Sequence, residues 1–111
     1  MVNETYIQQT MLPAISYGNV RMFRNNVGFM NGVKFGLCVG SSDLIGMTSK
    51  TITADDVGKT IAVFTAIEIK TEKGRVSEPQ QKFIAMVKRL GGIAGVCRSI
   101  DDAKALLEAG L

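Results

Sequence analysis

Glu68 and Lys70 stand two residues apart in the apolar run FTAIEIKT, residues 64–71. Side chains of an extended segment alternate between faces. Ile61, Val63, Thr65, Ile67 and Ile69 therefore share one face, and Ala62, Phe64, Ala66, Glu68 and Lys70 the other. A charge on an apolar face is costly unless a partner or a metal ion meets it. A second carboxylate, Asp43, lies in GSSDLIGM, at a glycine-rich break before a short apolar stretch. The connection from Asp43 to Glu68 is long enough for an antiparallel return that sets the two acids side by side. Two carboxylates and a lysine on one face can hold a hard divalent cation through oxygen. The lysine can then orient or deprotonate a water, and the cation can polarise a phosphodiester. Plainer uses stay open: a strand that emerges into solvent at Glu68 with a rim pair, and an Asx-type turn at Asp43.

Composition narrows the chemistry. The chain has 111 residues and no histidine. That excludes histidine bases, Ser-His-Asp triads and nearly every zinc or non-haem iron site. Any catalysis must run on carboxylates, lysines, hydroxyls or an oxygen-ligated metal. A net charge of +3 mildly favours an anionic partner such as nucleic acid. Cys38 and Cys97 lack CxxC spacing and sit among apolar residues, so both read as small buried side chains in a reducing cytoplasm. The first ten residues, MVNETYIQQT, carry no signal-peptide pattern, and no apolar run approaches the ~18 residues of a membrane span.

The elements that must position these residues read as one α/β domain over 1–111. Asn3 caps a helix over 4–15, with Ile7, Met11, Ala14 and Ile15 along one face and Pro13 near its end. NVRMFRNNVG is strand-like and closes on an Asn-Asn turn signal. GVKFGLCVGSSDLIGM reads as two short extended pieces, with Gly40, Ser41 and Ser42 as the kink between them. KTIAVFTAIEIK is the strongest strand, apolar on both faces as central strands are. Ser77 caps a helix over about 78–90 with the stripe Phe83, Ile84, Val87 and Leu90. GGIAGVCRS stops it and adds a short strand. Ser99 caps a last helix to about Ala109, with Asp102 placed for a capping box and Gly110 as the stop. The order is α-β-β-β-β-α-β-α, a small mixed central sheet flanked by helices.

Taken together, D…ExK resembles the signature of the PD-(D/E)XK nuclease superfamily, and the chain resembles its virus-type replication-repair nuclease branch, the VRR-NUC domain. The resemblance rests on Glu4 in an early helix, GSSDLIG with Asp43, EIK with Glu68 and Lys70, SEPQ with Gln80, and the tail LGGIAGVCRSIDDAKALL. The usual Pro-Asp of the first motif is Ser42-Asp43 here. FRNNVG and KFGLCVGSSDLIG look most like small stand-alone members of phages and prophages. The resemblance implies a restriction-endonuclease-like core and a metal-dependent DNA endonuclease. It implies Mg²⁺ or Mn²⁺ held by Asp43, Glu68 and the Ile69 carbonyl, with Glu4 reaching the metal or its water. Lys70 would position the nucleophilic water, and Gln80 would hydrogen-bond within the site or hold the lysine.

Arg24, Lys73 and Arg75 are the chosen phosphate contacts. No Trp and seven aromatic residues leave nothing to read bases, which favours structure-selective over sequence-specific cutting. One protomer offers one site, so paired cuts in branched DNA such as a four-way junction would need a homodimer or a higher even-numbered assembly. Small relatives of this branch imply the same substrate. The location expected is the cytoplasm, that of the bacterial host if the protein is phage-encoded. The rival reading is a non-enzymatic α/β nucleic-acid-binding or scaffold module of replication, with Glu68 and Lys70 as a structural ion pair.

Overall fold

Asn3 ends the extended backbone that enters the first helix, and its side-chain oxygen accepts the Tyr6 N–H at 2.8 Å. That cap starts α1 (Glu4–Ile15) at the expected residue in a computed structural model of the chain, which describes residues 3–110. Two compact units follow one another in sequence, the first up to Lys50 and the second from Thr51 onward.

The first unit holds α1, β1 (Val20–Arg24), β2 (Gly28–Met30), β3 (Val33–Phe35) and β4 (Leu44–Thr48). Ser16 ties the end of α1 to β1, its hydroxyl accepting the Met22 N–H at 2.9 Å. β1 and β4 are antiparallel, in a register from Val20 opposite Thr48 to Arg24 opposite Leu44. Gly46 lets them approach closely: a Cβ there would run into the Arg21 carbonyl oxygen and the Met22 Cα. Met47 of β4 is buried. β2 and β3 form a tight hairpin around Asn31 and Gly32, with φ of 52° and 79°. These are the left-handed values a two-residue type I′ turn requires.

The second unit holds β5 (Thr65–Ile69), α2 (Glu78–Arg89), β6 (Ile93–Cys97) and α3 (Ile100–Ala109), after a short 3₁₀ turn at Ala54–Asp56. β5 and β6 are parallel with α2 as the crossover between them, a βαβ unit. Val87 of α2 is fully buried, and Ile93, Ala94 and Cys97 of β6 complete the core. α3 starts at Ser99, whose hydroxyl accepts the Asp102 N–H at 3.0 Å. The Asp102 carboxylate reaches one residue further back than a capping box, to the Arg98 N–H at 2.9 Å.

The mixed α/β class holds, and several expectations change. Five strands precede α2, not four, because the Asn31-Gly32 turn folds residues 28–35 into a hairpin. Among the described residues the strands pair as three two-stranded ladders, β1-β4, β2-β3 and β5-β6, where one small central sheet was expected. The strand expected over 59–70 shrinks to Thr65–Ile69, because its partner β6 offers only five residues to pair with. Cys97 is buried as expected, but Cys38 is exposed. It lies in the connection between β3 and β4, where Leu37 and Val39 are exposed as well.

Candidate active site

The burial of β5 alternates, with Ala66 and Glu68 on the covered side and Thr65, Ile67 and Ile69 exposed. Its apolar isoleucine face is therefore the more open one, contrary to a strand buried on both sides. Glu68 is on the face that α2 covers. There Gln80, in the first turn of α2, donates from Nε2 to Glu68 Oε1 at 2.7 Å. Lys70 Nζ lies 3.6 Å from the same oxygen. Both contacts go to Oε1, and no hydrogen bond from a described residue reaches Oε2. Side by side, Ala66, Ile67, Glu68, Gln80, Phe83 and Ile84 line a cavity of about 230 Å³.

The orientation of Gln80 follows from the sequence around it. Ser77 caps α2, accepting the Gln80 N–H at 3.3 Å, while Gln80 Oε1 accepts the Ser77 N–H at 2.9 Å. That reciprocal pair fixes which end of the amide faces the helix start. The Nε2 end must then point away, and it meets Glu68. A glutamate in this place would cap equally well and would set a second carboxylate against Glu68.

Main-chain pairing sets the Ile69 carbonyl. The Ile93 N–H donates to Phe64 O at 2.9 Å and the Lys70 N–H to Cys97 O at 3.2 Å. In a parallel ladder this pattern gives the even-numbered residues of β5 to β6. The N–H and C=O groups of Thr65, Ile67 and Ile69 face the other edge, where no described strand pairs. Beyond Lys70 the loop of residues 71–76 is held by Arg98, whose Nη1 donates to the carbonyls of Thr71 (2.6 Å), Glu72 (3.2 Å) and Gly74 (2.8 Å). Lys73 and Arg75 stand exposed on that loop.

In the first unit, Asp43 lies just ahead of β4, and its carbonyl accepts the Asn25 N–H at 2.8 Å. The Asp43 carboxylate makes no hydrogen bond or ion pair to a described residue, so the Asx-turn use is not realised. Arg24 ends β1, exposed, opposite Leu44. Glu4 is exposed in the first turn of α1. Asp43, Arg24 and Glu4 thus belong to the first unit, and Glu68, Ile69, Lys70 and Gln80 to the second.

Two residues stand out that their types and local sequence did not mark. Asn25 looked like half of a turn signal, and Arg98 stood outside the basic residues taken as phosphate contacts. Their partners lie 12 to 27 positions away, too far for any local pattern to reveal.

Among the described residues, no group of three or more His, Cys, Asp or Glu side chains gathers to hold a metal ion. The donors of the second unit are nevertheless hard: Glu68 Oε2 and the outward Ile69 carbonyl. All-oxygen donors suit Mg²⁺ or Mn²⁺, and Mg²⁺ commonly takes only one or two protein carboxylates, filling its shell with water and substrate phosphate. The donor chemistry therefore fits such an ion.

A parallel βαβ unit that presents a carboxylate and a lysine beside a capping glutamine is compatible with a nuclease-like α/β fold. The family model of the VRR-NUC domain matches residues 30–101, well over half of the chain. The chain belongs to the VRR-NUC family. Neither the curated proteins nor the solved structures give a match. Membership implies a nuclease-type function, with DNA as the substrate class it suggests. The match takes in Asp43, Glu68, Ile69, Lys70 and Gln80, whereas Glu4, Arg24 and Asn25 precede it. No helix among the described residues is long and apolar enough to cross a membrane.

Proposed function

We propose that the protein is a divalent-metal-dependent DNA endonuclease that hydrolyses phosphodiester bonds, with a preference for branched DNA. The observation that carries this reading is the Gln80–Glu68–Lys70 cluster on the covered face of β5, in a chain of this family. Its βαβ unit supports the restriction-endonuclease-like core that the motifs imply. Asp43, Glu68 through Oε2, and the Ile69 carbonyl are the ligands, with Glu4 at the metal or its water. A bound Mg²⁺ or Mn²⁺ would neutralise charge on the phosphate and lower the pKa of a water.

The remaining work falls to the side chains. Lys70, held beside Glu68, positions the attacking water and bears its proton-transfer demands. Gln80 fixes the rotamer of Glu68 through Oε1 and so leaves Oε2 for the cation. Arg24, Lys73 and Arg75 hold phosphates, and Arg98 keeps the loop of Lys73 and Arg75 in shape. The chain has no Trp and few aromatic residues to stack on bases, so discrimination rests on the shape of the DNA. A role in phage or prophage replication, recombination or repair follows from the same resemblance.

A substrate panel tests the reading: linear duplex, flap, splayed arm, four-way junction and RNA, each with Mg²⁺, Mn²⁺ or EDTA. Metal-dependent cleavage strongest on a branched DNA is expected. Binding without cleavage under every metal would instead make the protein a scaffold module.

Gln80→Glu separates the cap from the site. It keeps a capping box, so melting should stay close to wild type. It also replaces the 2.7 Å donor on Glu68 by a like charge. Cleavage should fall roughly 10- to 100-fold, the usual cost of losing a partner that orients a ligand. Unchanged cleavage would reduce the Gln80–Glu68 contact to a packing detail.

Paired cuts require two sites, and the proposed assembly is a two-fold homodimer or a higher even-numbered state. The β2–β3 hairpin and its exit are the candidate interface. Phe29, Met30, Val33 and Leu37 there are each between 64% and 67% exposed, and Val39 is 94% exposed. So much apolar surface on one short segment marks an interaction site. Light scattering should report a dimer or higher even state at micromolar concentration. Phe29→Asp should shift it toward monomer and lose paired junction cutting before simple nicking. A monomeric wild type that makes coordinated paired cuts would contradict the arrangement.

A further inference from the structure

We propose that Asn25 is a positioning residue for Asp43: its side chain holds the loop from which the Asp43 carboxylate projects. The inference rests on the reading of Asp43 as a metal ligand. Asn25 directly follows β1, and its main-chain N–H extends the β1–β4 ladder by one bond, to Asp43 O at 2.8 Å. Its side chain, half-buried, does more. Nδ2 donates to Ser42 O at 2.9 Å and to Ser41 Oγ at 2.7 Å, and Oδ1 accepts the Leu37 N–H at 3.0 Å. An amide has two N–H donors and one carbonyl. All are in use, and all three contacts fall on the connection between β3 and β4. Ser41 passes the constraint on, its hydroxyl donating to Cys38 O at 2.7 Å.

Packing does not hold this loop. Leu37, Cys38, Val39, Ser42 and Asp43 are exposed. A loop with no buried side chain keeps its shape through hydrogen bonds alone, and here one amide makes most of those that reach outside the loop. The Asp43 carboxylate makes no hydrogen bond or ion pair to a described residue, so its direction is set by the backbone on either side. On the C-terminal side that backbone is the β4 ladder. On the N-terminal side it is Ser41 and Ser42, held by Asn25. Without the amide the N-terminal side is free to rotate, while the ladder and the Met47 core stay as they are. The effect should therefore fall on the metal site far more than on folding.

The test compares wild type with Asn25→Ala, Ser41→Ala and Asp43→Asn. Mn²⁺ affinity is measured by electron paramagnetic resonance without DNA, beside the Mg²⁺ half-saturation of cleavage, the melting temperature and DNA affinity in EDTA. Asn25→Ala should weaken Mn²⁺ binding roughly 10- to 100-fold and raise the Mg²⁺ half-saturation alike, as the loss of a group that orients a ligand does. DNA affinity should hold, and cleavage should recover at high metal. Ser41→Ala should shift both metal values in the same direction by less. Wild-type metal affinity in a folded Asn25→Ala protein overturns the proposal, as does a cleavage loss that high metal does not restore. If Asn25→Ala does not fold, Ser41→Ala decides, and wild-type metal values there overturn it. Asp43→Asn keeps the two readings apart. If it binds metal and cleaves as wild type does, the ligand role of Asp43 is what fails. If it alone loses metal while Asn25→Ala and Ser41→Ala do not, only the role of Asn25 fails.

Discussion

In Mg²⁺ or Mn²⁺, Asp43→Asn and Glu68→Ala proteins are expected to lose cleavage by about 10³-fold or more while melting as wild type does. Each removes a hard oxygen donor from the proposed cation. A bound cation contributes several kcal/mol of charge stabilisation at the phosphate, and each ~1.4 kcal/mol is tenfold in rate. Folding should survive because neither residue belongs to a core. Asp43 is exposed, and Glu68 lies at the rim of a cavity with its side chain about one-third exposed. DNA binding should survive as well, since phosphate contacts come from basic residues. Cleavage assays, gel shifts in EDTA and thermal melts on the same preparations check all three points. Either variant cutting at a near-native rate in Mg²⁺ would show that the ligands lie elsewhere.

Lys70→Ala should lose at least about 10²-fold in single-turnover rate, the lower end for a positioned acid–base group. Lys70 Nζ sits 3.6 Å from Glu68 Oε1 on the same face, so its ammonium is held beside the proposed ligand Glu68. The pair is partly open to solvent, and an ion pair of that kind adds little to stability. The rate should therefore fall without a matching fall in melting temperature. DNA affinity and the Mg²⁺ half-saturation should change little, because the proposed work of the lysine is at the water. Lys70→Arg should not rescue, since a guanidinium does not give up its proton and has a different shape. A Lys70→Ala protein with an unchanged single-turnover rate would leave Lys70 a charge at the edge of a strand.

The helices were legible because their signals are local. Asn3, Ser77 and Ser99 each cap through a hydrogen bond three residues long, and α1, α2 and α3 begin right after them. Asn31-Gly32 was legible in the same way and went unread, although a two-residue turn with positive φ at both positions is a strong hairpin signal. The motif residues Asp43, Glu68, Lys70 and Gln80 could be picked out from type and order. The way Gln80 meets Glu68 could not. It depends on α2 covering one face of β5, which strand periodicity alone does not choose.

By itself the sequence determined the family, the absence of histidine chemistry, the helix starts and the alternation that puts Glu68 and Lys70 on one side of a strand. Each is a matter of residue type or of neighbours within a few positions, where backbone geometry leaves few choices. Only the tertiary structure decided that the charged face of β5, and not its isoleucine face, is the covered one. It also decided that β1 pairs with β4 and β5 with β6, that Arg98 holds the loop beyond Lys70, and that Asn25 holds the loop before Asp43. The side-chain contacts of Gln80, Arg98 and Asn25 join residues 12 to 27 positions apart. Closing such distances costs chain entropy that no single hydrogen bond recovers. They form only where the packing of whole elements has already brought the partners together.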